Sequence, residues 1–588
     1  MSTWHLDFET RSRADLTEIG AFKYAQDPST EVMCLAVKRD DGPTLVWIPT
    51  EFEVMDSLAG NTVSDEGARA LVDAMLADDG PLYAFNAQFE WVVFRYVMPR
   101  YGFAEPTLKR WRCAQAMARR ANIPASLGKA AATLALKNQK DAAGGRLINT
   151  FSIPQKDTKE FIQPYQSPDK WHSFVEYCRQ DVEAEHEMAH VLKPFDLGGW
   201  LLDTFHIDLV INDRGMPVNM TALRNANKMI DDTSVPAFEE FNRLTGLNPT
   251  QNAKLRGWFA GNGLVLDNLQ SDTLAALDVS TLPEAPGQAI ALLRKIGFAA
   301  VKKIKTMIEC AGDDGFIRGS LQFYGAAATG RWSGRLHQPQ NFKRPEFGGT
   351  EEMYDHVCNG ASKEFLELWY GKDIFSILAS SIRHFIHDPQ GPMLSADYSA
   401  IEARVAAWLA GEEWKLEVFR THGKIYEMNA ERMFGVPMAQ VDKALRQKSK
   451  IAELACQYAG SVNALITMGA LDMGLKEEEL QPLVDAWRTA NPNIVKQWYA
   501  CSNAAISAVN SPGEKFFAGK VSYFCGNAAK AKYLFCVLPS GRRLAYRDPQ
   551  VKSERRVSKR TGNEYTQQVL TCFGQLPGAG GAKSQQMG

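Results

Sequence analysis

The stretch TWHLDFET at the start of the chain alternates without a break, with Trp4, Leu6 and Phe8 on one side and His5, Asp7 and Glu9 on the other. That is the period of a half-buried strand, and it turns two carboxylates in the same direction. Two acids on one strand face can share a divalent ion. FNAQFE adds Asn86 and Glu90. EYCRQD adds Tyr177 and Asp181, four apart and therefore on one face of the helix that periodicity predicts from about Phe174 to Leu192. That helical run closes a first domain near residue 195.

Composition narrows the class without deciding it. At 588 residues the chain exceeds the roughly 250 to 300 residues at which a single core stops growing, so several domains are expected. Lys plus Arg number 66 against 68 for Asp plus Glu, so net charge gives no sign of a polyanion partner. Any nucleic-acid surface must be local, as in the basic stretches from Lys443 to Lys450, at Arg542 and Arg543, and between Lys552 and Arg560. The ten cysteines include no Cys-x-x-Cys pair, which argues against a structural zinc site and a disulfide framework. No apolar run approaches the ~20 residues of a membrane span and no signal peptide precedes the first strand, so a cytoplasmic protein is expected, in a host cytoplasm if viral.

Taken in order, Asp7-x-Glu9, Asn86 with Glu90, and Tyr177 with Asp181 resemble the DEDDy pattern of 3′–5′ exonucleases. The resemblance implies a ribonuclease H-like α/β domain in which Asp7, Glu9 and Asp181 hold Mg²⁺ or Mn²⁺ and Tyr177 orients the attacking water. Oxygen ligands suit such hard cations. Glu90 stands where the family more often has Asp. WRCAQAMARRANIPASLGKAA and GGRLINTFSIP are similar to the interior of phage-type exonuclease domains.

Further along, LSADYSAIEARVAAWLAG resembles motif A of the family A, polymerase I-like DNA polymerases, and RQKSKIAELACQYAG resembles their motif B. Arg446, Lys450, Leu454 and Tyr458 recur every four residues, forming one stripe on a helix. The resemblance implies that Arg446 and Lys450 grip the triphosphate of a deoxynucleotide while Leu454 and Tyr458 cover the forming pair. It also implies that Asp397 binds catalytic metals after the apolar strand PMLSA, and that Glu402, hydrogen-bonded to Tyr458, excludes a ribose 2′-OH. Ala400 replaces a common Gln, and Leu454 replaces an aromatic. The loop TGRWSGRLHQPQNFKR resembles the primer-template motif, which makes Arg331, Gln340 and Asn341 candidates for minor-groove contacts. LPSGRRLAYRDP resembles the last palm-proximal segment of the family.

In that family a His-Asp-Glu turn follows and supplies a second metal-binding carboxylate. All ten histidines lie at or before His422, and the aspartates after Gly460 are Asp472, Asp485 and Asp548, none in a strand-turn-strand setting. The string Ile386-His387-Asp388-Pro389 precedes motif A and lacks the Glu. The expected plan is an exonuclease domain over residues 1–195, a mostly helical thumb and primer-template region over 196–345, and fingers with a partial α+β palm over 346–588, without motif C. Three readings stay open: a polymerase completed by a second polypeptide that carries motif C, an exonuclease remnant, and a non-catalytic primer-template-binding subunit.

Overall fold

The computed structural model describes residues 1–588 except 55–60, 140–143, 297–298, 346, 389–390, 472, 558–561, 576–581 and 587–588. Asp472, Pro389 and the Arg560 end of the last basic stretch lie outside the described residues. The first half is built on a mixed sheet of β1 (Trp4–Arg11), β2 (Glu31–Arg39), β3 (Thr44–Trp47), β4 (Thr62–Val63), β5 (Leu82–Ala84) and β6 (Trp111–Cys113), in the order β4-β3-β2-β1-β5-β6. β1 is central, antiparallel to β2 and parallel to β5. Its Trp4, Leu6 and Phe8 are at most 4% exposed and share a core with Val93 and Phe94 of α1 (Ala87–Tyr96). The short α2 (Gly144–Phe151) packs on α3 (Pro168–Val191), which lies across β1 and β2. The polar face of β1 is thereby roofed by a helix, and that roof makes its acids a site rather than a solvated edge.

α4 (Trp200–Arg214) leaves this half but stays packed on it, since Leu201, Phe205 and Leu209 belong to the same core as Trp4. Phe323 and Tyr324 of β7 (Leu321–Ala326) join them, and β7 forms a hairpin with β8 (Arg331–Gly334). Part of the segment expected to be loop is therefore sheet. Between α4 and β7 the chain is mostly helical, as its periodicity predicts, with the long α5 (Met220–Thr245) capped by Asn219. A second core joins Leu223 of α5 to Met307, Ile377 and Phe385.

The third region holds α6 (Ile401–Ala410), α7 (Glu413–Thr421), α8 (Ile425–Phe434), α9 (Lys443–Cys456), α10 (Glu477–Ala490) and α11 (Pro492–Asn510). An antiparallel meander follows: β9 (Lys515–Ala518), β10 (Val521–Ala528), β11 (Ala531–Val537), β12 (Arg543–Val557), β13 (Glu564–Gln575) and β14 (Ala582–Gln586). In β11 the alternation AKYLFCV is apolar on both faces. Leu534 packs with Ala505, Ala508 and Val509 of α11, while Tyr533 and Phe535 join Met117, Met188 and Phe195 of the first half. Tyr533 Oη donates to the Ala121 carbonyl at 3.2 Å, tying the two ends of the chain together.

One local expectation fails. PMLSA is not a strand: residues 392–398 have no regular structure, Met393 is 53% exposed and Leu394 93%. An isolated strand leaves its N–H and C=O groups unpaired, and no described residue pairs with this segment. Among the described residues no helix is long and apolar enough to cross a membrane.

Candidate active sites

Asp7, Glu9 and Asp181 each present a carboxylate oxygen within 4.8 Å of those of the other two. The period of β1 aims the first two at α3, and α3 returns Asp181 to meet them. Glu9, Asp181 and Glu90 are buried, and Asp7 is partly open. Burial, then the charges of Asp7 and Glu185, push the Glu90 carboxyl well above the ordinary range. Glu90 Oε2 is buried without a hydrogen-bond partner among the described residues. Tyr177 is 2% exposed and shares a hydrogen bond with Asp181, and burial followed by the neighbouring acids raises its phenol, which stays protonated. Gly144 at the head of α2 accommodates that ring: a Cβ there would lie 2.1 Å from Tyr177 Cε2.

Sequence reading missed the support behind these acids. Glu185, one turn beyond Asp181 on α3, accepts from or shares a proton with His5 Nδ1 at 2.6 Å, both side chains being almost fully buried. The signal was present, since His5 lies two residues before Asp7 and Glu185 four after Asp181. Asn86, the residue just before α1, makes no capping hydrogen bond with its side chain.

The second constellation joins three distant segments. Arg331 Nη2 of β8 donates to Glu402 Oε1 of α6 at 2.7 Å, and Tyr458, just past α9, hydrogen-bonds the same carboxylate. The hydrogen bond from Arg331, then that from Tyr458, holds the Glu402 carboxyl below the usual range. Burial and Glu402 push the Tyr458 phenol up to about 12. These residues line a cleft of about 360 Å³ with Gln457 and Trp498. Gln340 and Asn341 are exposed in the turn after the hairpin, and Asn341 Nδ2 donates to Gln338 Oε1 at 2.9 Å.

α9 turns its stripe outward. Arg446 Nε donates to Glu427 Oε1 at 2.7 Å, and Arg446 and Lys450 both stand over the Tyr426 ring, at 5.3 and 6.0 Å. Leu454 is 37% and Tyr458 62% exposed. The opposite face is locked by a pair the sequence did not disclose: Lys415 Nζ of α7 donates to both oxygens of Glu453 at 2.6 and 2.8 Å, with both side chains at most 1% exposed. Asn429 and Trp487 donate to Glu453 Oε2 as well. Asp397, by contrast, is exposed in the irregular segment before α6.

The model of DNA polymerase family A matches residues 272–507. The DNA polymerase of Bacillus phage SP02 is 38% identical over 572 residues, 95% of this chain and 84% of that protein. The chain belongs to the family A DNA polymerases. Its likeness to cellular members is local: DNA polymerase I of Pseudomonas aeruginosa is 31% identical over 115 residues, 19% of this chain and 12% of that one. The thermostable DNA polymerase I of Thermus aquaticus is 31% identical over 112 residues, 19% of this chain and 13% of that one. In fold, the chain resembles a solved POL domain of Pol1 from M. smegmatis in complex with DNA primer-template and dNTP, with a TM-score of 0.52 and 16% identity over 86% of this chain and 76% of that one.

Proposed function

We propose that this family A polymerase copies a DNA template from deoxynucleoside triphosphates and trims single-stranded 3′ ends, and that within these 588 residues the trimming site alone has its full set of acids. The observation that carries the reading is the convergence of Asp7, Glu9 and Asp181 within 4.8 Å, beside an Asp397 that lies exposed on an unpaired segment. Mg²⁺ or Mn²⁺ fits the first site, where three carboxylates meet and a fourth, Glu90, has a buried oxygen without a protein partner. Asp7, Glu9 and Asp181 would hold the metal, with Glu90 beside them; bound there, such ions activate water and stabilise charge on the leaving 3′ oxygen. Tyr177 keeps its proton and, steadied by Asp181, orients the water. His5 steadies Glu185 behind α3.

For synthesis, Arg446 and Lys450 bind the triphosphate, Leu454 and Tyr458 cover base and sugar, and Asp397 would hold the metal. Glu402, fixed by Arg331 and Tyr458, meets a 2′-OH with a carboxylate already committed to two partners, which favours deoxynucleotides. The exposed Gln340 and Asn341, and Arg331 when released from Glu402, contact the minor groove of primer-template DNA. The labour divides as exonuclease in residues 1–195, primer-template handling in 196–345 and nucleotide handling in 346–588, in a host cytoplasm. The exposure of Asp397 supports a second reading for a polypeptide of these residues by itself: a 3′–5′ exonuclease that binds primer-template and needs a further carboxylate, supplied by another segment or polypeptide, to extend it. Digestion of a labelled single strand by the purified chain tests the first site. The Asp7→Ala, Asp181→Ala double variant should lose it by at least about a thousandfold, the loss of roughly 4 kcal/mol of transition-state stabilisation. Unchanged digestion by that variant would remove the assignment.

A further inference from the structure

The meander carries an arm that the two sites leave unused. β12 pairs with β11 only from Arg543 to Arg547. There the register with β13 slips between Arg547 and Gln550, with Asp548 in the left-handed region at φ 48°. Such a bulge bends a strand and increases its twist. Beyond it, Val551–Val557 pairs with β13 residues Glu564–Leu570 and with nothing else described, because β14 reaches only Thr571–Gln575. The result is a two-stranded ribbon extending about 20 Å past the sheet, at ~3.3 Å per residue.

The composition of the ribbon is not that of a core element. Lys552 is opposite Val569 at its base, and beyond it Ser553, Glu554, Arg555 and Arg556 face Gln568, Gln567, Thr566 and Tyr565. No apolar face runs along it, and a hairpin without one gains little stability from packing. What it presents is charge: Lys552 and Arg555 are exposed, and Arg556 pairs with Glu554 at 3.0 Å, a half-exposed pair of the kind worth little. Lys559 and Arg560 follow in sequence, so residues 552–560 carry five cations and one acid in a chain whose net charge is −2. Because successive side chains on a strand point to opposite faces, Lys552 and Arg556 emerge on one face of the ribbon and Arg555 on the other. A two-stranded ribbon also has the width of the DNA major groove. The base is rigid with respect to the exonuclease half, through Arg547 donating to the Thr133 carbonyl at 3.1 Å and Tyr533 to Ala121.

We infer that the paired strands Val551–Val557 and Glu564–Val569 form a DNA-gripping arm whose cations Lys552, Arg555 and Arg556 bind the phosphate backbone of the duplex, independent of sequence. The inference rests on the reading that this chain works on DNA, and it adds a contact surface separate from both sites. Each phosphate neutralised by a cation releases counterions, so the signature is a salt-dependent affinity.

The test is binding of a fluorescent primer-template duplex by the full chain, without nucleotide and with chelator present, over a series of salt concentrations. Absence of DNA synthesis therefore leaves it readable. The Lys552→Ala, Arg555→Ala, Arg556→Ala variant should bind at least tenfold more weakly at ~0.1 M salt, with a log–log salt slope reduced by about 2 to 3. The Lys552→Arg, Arg555→Lys, Arg556→Lys variant should keep both affinity and slope, and a thermal melt of each variant matching the parent excludes unfolding. Unchanged affinity and slope in the alanine variant would overturn the inference and leave the arm to an acidic protein surface. Equal loss in the charge-preserving variant would overturn it too, because the contact would then depend on shape rather than charge.

Discussion

The two sites of this chain differ in how their acids are held. In the first, Asp7 and Glu9 sit on a central strand roofed by α3, and buried Glu90, Tyr177 and the His5–Glu185 pair surround them. In the second, the helix α9 is as firmly placed, locked from behind by Lys415 and Glu453, yet Asp397 lies on a segment with no strand partner among the described residues and a Leu394 that is 93% exposed. A carboxylate is preorganised by what its backbone pairs with. β1 has neighbours on both sides, and the segment bearing Asp397 has none among the described residues.

The sharpest challenge to this contrast is to loosen the part of the second site that is held. Lys415→Met leaves Glu453 buried beneath Asn429 and Trp487 without its cation, and breaking a buried pair from one side costs about 3–5 kcal/mol. Denaturant melts should show that loss, and Lys415→Met with Glu453→Leu should cost less than the sum of the single changes. Additive losses would mean that the pair does not position α9.

A buried acid at the joint between the halves gives the next effect. Asp208 of α4 accepts from Trp332 Nε1 of β8 at 2.8 Å, and burial raises its carboxyl to about 7 from an ordinary 3.8. The folded state therefore holds this proton more tightly than the unfolded chain. Its stabilising contribution is present below pH 3.8 and is lost as pH rises through about 7. Asp208→Asn should flatten the fall in stability between pH 4 and 8, with a gain on the order of 3 kcal/mol at the upper end. Melting curves of parent and variant that run parallel across that range would rule out a titrating Asp208.

Smaller effects separate chemistry from placement. Tyr177→Phe keeps the ring against Gly144 but removes the phenol, and digestion should slow by about 10- to 100-fold with single-strand binding retained. Lys450→Ala should weaken triphosphate binding by about tenfold, or ~1.4 kcal/mol, and hardly change DNA binding in parallel titrations. Equal loss of both would make α9 a general DNA contact.

How much of this the sequence disclosed depends on the range of the interaction. The period of two in TWHLDFET and the four-residue steps in EYCRQD and RQKSKIAELACQYAG are local, and they put Asp7, Glu9, Tyr177, Asp181 and the α9 stripe where the structure has them. Lys415 and Glu453 are 38 residues apart in ordinary helical sequence, and nothing local marks them as partners. PMLSA carries strand propensity, but a strand exists only by pairing, which propensity does not report. The closing meander was not read strand by strand, although VSYFCGNA and AKYLFCV have strand composition, and nothing local showed that β11 would pack against Phe195, more than three hundred residues earlier.

We propose that the first site is hydrolytic and that Asp397, exposed on its irregular segment, needs a further carboxylate for synthesis. Primer extension by the purified chain, free of host polymerase and measured beside its digestion of a single strand, tests it most directly. We expect digestion that depends on Asp7 and Asp181, binding of primer-template, and negligible extension, restored by a polypeptide that supplies a metal-binding carboxylate and lost again in Asp397→Ala. Extension at an ordinary replicative rate by these residues alone, abolished by Asp397→Ala, would contradict the account.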